Sequence, residues 1–207
     1  MLFVSIDVFC ADIGSIKSGN FGWAARLIDG KRLGGDRIDM LVKALIESIN
    51  NGHKIALGFE CPLFVPIRDD PESLTSARVG DANRAWSAAA GTAALAMGVV
   101  EVTWLFTRLK EKLKLTPPVF FDWDIFDRSS SGVFVWEAFV SGKAKGKNHI
   151  EDATLAVEAF LRCLPTPDDS NAVVEFDVIS LAGVAVLRSA WTTELEFLAR
   201  PCLVIKL

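Results

Sequence analysis

The sequence predicts an α/β fold, a mixed sheet of about five strands with helices on both sides, in a single domain over residues 1–207 that carries a helical insertion at about 81–114. Three observations lead there. Residues 55–59 form a short apolar run without helical period between Gly52 and Pro62, the pattern of a buried strand. Residues 36–50 place Ile38, Leu41, Val42, Leu45, Ile46 and Ile49 on one helical stripe. Residues 2–9 and 133–139 are two more β-rich apolar runs, separated from the first by turn-rich or helical segments.

In chain order, residues 2–9 read as a central strand with Asp7 near its end. Residues 12–22 are rich in glycine and asparagine and read as a connection. Residues 22–28 read as a second strand pairing back on the first, and a weak third strand falls near 31–33. Asp36 is a plausible N-cap for the helix that follows, and Asn50-Asn51-Gly52 its stop. The strand at 55–59 ends in Glu60, then Cys61-Pro62. An acid closing a core strand is costly unless a cation, a donor or water meets it, and ligands of open α/β sheets collect beyond the carboxyl ends of the strands.

Residues 63–80 form a long loop with three prolines counted from Pro62, and 81–114 read as helical up to Thr116-Pro117-Pro118. Residues 119–126 alternate apolar residues with Asp122 and Asp124, and 133–139 is a strand with Glu137 near its end. A flexible basic loop, 141–148, leads to a helix over 149–164, where the acids after His149 suit the helix dipole. Residues 174–191 read as a helix of small residues with Asp177 in its first turn, and 202–207 as a last strand.

Bulk properties narrow the function. Hydrophobic residues make up 51% of the chain, enough for a large core, and a homo-oligomer would cover further apolar surface. The net charge of −4 argues against nucleic-acid binding over the whole surface but leaves room for a local basic patch. The four cysteines show no C-x-x-C pair, so buried thiols in a reducing compartment are expected rather than zinc or disulfides. The N-terminus lacks a basic n-region, and the longest uncharged run, 85–100, is short and rich in small residues. A cytoplasmic protein with no membrane span is therefore expected.

Single aspartates near strand ends usually bond a loop; the sharper expectation concerns three acids together. Asp7 and Glu60 lie near the ends of strands expected to be neighbours, and the small residues after Asp177 would let its helix press on the sheet. Converging, Asp7, Glu60 and Asp177 would bind Mg²⁺ or Mn²⁺, and a pair of such ions can activate water against a phosphodiester. Glu137 is a further candidate ligand. Lys143, Lys145 and Lys147 are candidate phosphate contacts, with Arg78 and Arg84 behind them.

The order strand-with-Asp, hairpin, helix, strand-with-acid, helices, strand, helix-with-Asp resembles the ribonuclease H-like superfold. The segments VSIDVF, ALGFECPLFVP and FDVISLAGVAVL resemble the predicted nucleases grouped as domain of unknown function 429, which show a first-strand Asp, an acid-x-Pro-Leu turn and an Asp followed by small residues in a late helix. The glutamate at the strand end is also similar to RuvC-type junction resolvases, although Val174 stands where those often carry another acid. The resemblance implies a metal-dependent nuclease with Asp7, Glu60 and Asp177 as catalytic ligands and nucleic acid as partner. The alternative is a catalytically inactive binding or regulatory module on the same fold.

Overall fold

A computed structural model describes residues 6–81, 86–140 and 145–207. Strand β1 (Ile6–Asp12) is buried along its whole length, as befits an apolar run with neighbours on both edges and both faces. Strand β2 (Gly22–Arg26) returns antiparallel to it, and β3 (Arg32–Gly35) pairs antiparallel with β2. Helix α1 (Ile38–Asn50) then crosses to β4 (Lys54–Glu60), which lies parallel to β1. Its N-cap position is Arg37 rather than Asp36.

After a short β5 (Phe64–Pro66) and a long loop comes α2 (Ala89–Lys112). This helix starts later than its sequence suggests, because Asp81 is held in the loop by Arg78. By length and composition α2 would suffice to cross a membrane, while its second half buries Val102, Leu105, Phe106 and Leu109 in the core.

Strand β6 (Val119–Phe120) and helix α3 (Trp123–Arg128) follow; the carboxylate of Asp122 caps α3 by accepting from the Ile125 N–H. Strand β7 (Val133–Phe139) runs parallel to β4. Helix α4 (His149–Cys163), strand β8 (Val178–Ser180), helix α5 (Leu181–Arg188) and strand β9 (Leu203–Lys206) complete the chain.

The main sheet has the order β3-β2-β1-β4-β7-β6, with β9 also on β7, so it is a seven-stranded mixed sheet rather than one of five. Two short strands make the difference: β6 and β9 both run along the far edge of β7, at different heights. The segment over 174–191 is also not one helix. Val178–Ser180 pairs with Phe64–Pro66, and the Ser180 hydroxyl, accepting from the Gly183 N–H, starts α5 only there.

Alternate residues of the strands feed two cores. Phe9, Ala11, Leu57 and Phe59 pack with α1, α2 and α5. Cys10, Ala56, Phe134 and Trp136 pack with α4 and with Trp123 and Phe126 of α3. Gly58 belongs to the second face, where a Cβ would lie 2.4 Å from the Trp136 indole. A Cβ on Gly22 would lie 2.3 Å from the His149 carbonyl carbon, so this glycine admits the start of α4 against β2.

Candidate functional site

The parallel pairing of β1 and β4 sets Asp12 directly opposite Glu60 at the carboxyl ends of both strands. Cys10 and Gly58, two residues back, face α4, so both acids face the same helix. Helix α4 begins there, and His149 and Asp152, three residues apart, lie on one side of its first turn. The His149 Nδ1 is 2.5 Å from Asp12 Oδ2. Ligand atoms of Asp12, His149 and Asp152 all lie within 4.8 Å of one another. Lys145 places its Nζ 4.0 Å from both Glu60 Oε1 and Asp152 Oδ2. The Gly146 N–H donates to Asp152 Oδ1 and fixes that carboxylate.

This pocket of negative charge is poorly compensated. The Glu60 side chain is 12% exposed, and among the described residues its Oε2 has no hydrogen-bond partner. Burial, with the Asp12 charge next, pushes the Glu60 carboxyl up to about 9, against the pull of Lys145. Burial also raises Asp12, opposed by the hydrogen bond from His149. The Cys10 thiol beneath them is pushed up by burial and then by Glu60 and Asp12. On α2, burial raises Glu101 to about 7, the Gly14 N–H holds it down, and the Asp12 charge adds repulsion. Its Oε2 is likewise buried without a partner among the described residues.

The acids expected from the sequence are placed differently. Of the three, only Glu60 stands in this cluster. Asp7 sits five residues before Asp12 on β1, about 17 Å away along the strand. By parity its side chain faces α1, the opposite face from Glu60. There it accepts from the Ile28 N–H at 2.7 Å and the Ser48 hydroxyl at 2.6 Å, and meets His53 Nδ1 at 2.8 Å. Asp7 is a buried structural acid, fully enclosed.

Asp177 is exposed, ahead of β8 rather than in a helix, and its backbone carbonyl accepts from the Ile67 N–H. Glu137 is buried, but Arg78 and the Leu63 N–H occupy both its oxygens, so it is not free for a metal. Arg78 is correspondingly enclosed and cannot meet a phosphate. Lys145 borders the cluster, Lys147 is exposed, and Lys143 and Arg84 lie outside the described residues. Val174 is exposed.

Asp12, His149, Asp152 and Glu101 were not expected here. Asp12 closes the apolar run 8–11 just before Gly14, and the His149-x-x-Asp152 spacing at a helix start puts two ligands on one side; these were the available signals. No family model, curated protein or solved structure matches the chain.

Asp12, Asp152 and His149 offer two carboxylates and an imidazole close enough to hold a metal ion, with Glu60 next to Asp12 across the strand pair. The buried, partnerless Glu60 oxygen and the mutual repulsion of Asp12 and Glu60 are what a bound cation would relieve.

Proposed function

We propose that this chain is a divalent-metal-dependent phosphodiesterase of ribonuclease H-like architecture, with Asp12, Glu60 and Asp152 as metal ligands and His149 beside them. The observation that carries the reading is the register pairing of Asp12 with Glu60 at two parallel strand ends, with Asp152 delivered by α4 and Glu60 Oε2 left without a donor. The order of elements supports it: strand with Asp12, hairpin, helix, strand with Glu60, helices, strand, helix with Asp152.

A bound cation would supply an activated water and charge for the leaving oxygen. The chain's own groups do the rest. Asp12, Glu60 and Asp152 hold the site, and the His149 ring orients Asp12 through Oδ2. Lys145, half exposed at the rim, is placed to hold a phosphate oxygen with Lys147 nearby. Glu101, raised to about 7, can take and return a proton near neutral pH at the edge of the cluster.

The test is Mn²⁺ titration by calorimetry together with hydrolysis of bis-p-nitrophenyl phosphate and of DNA and RNA oligonucleotides. The parent should bind Mn²⁺ and cleave, and Asp12→Asn should do neither. Absence of Mn²⁺ binding by the parent, or parental cleavage by the variant, would overturn the reading. One observation favours the non-catalytic alternative: Lys145 lies between Glu60 and Asp152, so the chain provides its own countercharge there. Folded protein that binds no metal but retains an oligonucleotide would select that alternative.

A further inference from the structure

Behind the carboxylate cluster, on the other face of the sheet, lies a second group of charges with the opposite character. Arg78 is completely buried. Its guanidinium donates to Asp81 through Nε and Nη2, at 3.1 and 2.9 Å, and to Glu137 through Nη1 and Nη2, at 2.8 and 2.6 Å. It stacks over the Phe64 ring, 4.7 Å from the centroid, and donates to the Phe64 carbonyl. Glu137 Oε2 also accepts from the Leu63 N–H at 2.9 Å. Register places Glu137 beside Phe59, and Phe59 points to the α1, α2 and α5 core, away from α4. Arg78 therefore does not face the metal-ligand candidates.

What these contacts grip is the turn that follows Glu60. Leu63 is held by its N–H and Phe64 by its carbonyl, three and four residues after the acid that ends β4. The same loop is pinned a second time by the two-pronged pair of Arg68 with Glu175, which also accepts from the Val79 N–H. Among the described residues the Glu60 Oε2 has no donor, and Lys145 stands 4.0 Å from Oε1, so the side chain is only loosely held. Its position is set by the backbone on either side: the β4 ladder before it and the clamped turn after it.

We propose that Arg78 is a positioning residue for Glu60. Through Glu137 and the Phe64 carbonyl it locks the Cys61–Phe64 turn, and so holds the Glu60 carboxylate opposite Asp12 without touching the site. A fork is required for this work: the guanidinium reaches two carboxylates and a carbonyl at once, which an ammonium cannot do in the same plane. The inference rests on the reading of Glu60 as a metal ligand, and it adds a control on that ligand from across the sheet.

The test compares the parent with Arg78→Lys and Glu137→Gln, and with Leu45→Ala on α1 as a control of similar melting temperature. Two quantities are read on protein shown to be folded: Mn²⁺ affinity, and amide hydrogen exchange resolved at Leu63 and at Leu57. Arg78→Lys and Glu137→Gln should each lose about tenfold or more in Mn²⁺ affinity, the scale of an outer-shell defect. Exchange at Leu63 should quicken while Leu57 in β4 stays slow. Leu45→Ala should keep the parental affinity despite its lost stability. Parental affinity in a folded Arg78→Lys, or weakened affinity with unchanged exchange at Leu63, would overturn the proposal. If the parent binds no Mn²⁺, the metal reading fails by itself. The clamp is then decided by exchange alone, quicker exchange confined to the turn supporting it and unchanged exchange overturning it.

Discussion

Glu60→Gln tests whether the acid at the end of β4 is held uncharged by its surroundings. The carboxyl is raised from 4.5 to about 9, by burial first and by Asp12 second. A group raised in the folded state binds its proton there while the unfolded chain has already released it. Its stabilising contribution is complete below about pH 4.5 and is lost as pH climbs toward 9. The slope for one proton is at most about 1.4 kcal/mol per pH unit, so the parent should lose up to about 4 kcal/mol between pH 5 and pH 8 through this group. With the side chain only 12% exposed, solvent screening does little to reduce that figure. Glutamine keeps the shape of the protonated acid and cannot ionise. Measured by urea unfolding in EDTA, the variant should gain on the parent by up to about 4 kcal/mol from pH 5 to pH 8. Saturating Mn²⁺ at pH 8 should restore the parent by about 2.7 kcal/mol at a hundred times its dissociation constant and leave the variant where it was. A stability difference that stays flat across this range would refute the argument that Glu60 is buried without compensation.

The remaining predictions separate structural acids from site acids. Asp7→Asn should cost about 3 kcal/mol in urea unfolding, because a buried carboxylate with three partners is replaced, yet leave Mn²⁺ affinity at the parental value. Asp177→Asn should change stability by less than about 0.5 kcal/mol, as an exposed position does, and leave Mn²⁺ affinity unchanged in the same titration. Arg78→Ala should cost about 3–5 kcal/mol by leaving Asp81 and Glu137 buried without their cation, read as a fall in the urea midpoint. Gly58→Ala should cost about 1–3 kcal/mol by forcing a methyl into the Trp136 ring, seen in thermal unfolding and as a change in tryptophan fluorescence.

Periodicity made the helices α1 and α4 and the strands β4 and β7 legible, since each carries its own stripe or apolar run. Register was not legible. Strand β1 is buried on both faces, so no alternation of polar and apolar residues marks its facing or its end. Asp7 and Asp12 are both acids on that strand, and only pairing with Glu60 tells them apart. The small residues after Asp177 mimic a helix packed on a sheet, but β5 offers a partner edge to Val178–Ser180, and that long-range pairing overrides the local preference. The acids at the start of α4 fit the helix dipole so well that their second use, facing the end of β1, left no separate trace in the sequence.

Glu60 and Glu137 make the physical distinction plain, because they stand near each other at the ends of adjacent strands and differ by one step of the pleat. Glu137 turns toward the α2 and α5 core and meets a guanidinium and a backbone N–H, so its charge is matched bond for bond. Glu60 turns toward α4 and meets Asp12, the edge of Asp152 and a lysine 4.0 Å away, and one oxygen has no donor among the described residues. A matched buried charge holds a loop in place, whereas an unmatched one is stable only when a proton or a cation completes it. The same chemical group thus fastens a loop on one face and stands with an unmatched oxygen, among the described residues, on the other. The alternation of a β-strand assigns the roles, and the Arg78 fork ties the first to the second through the turn between them.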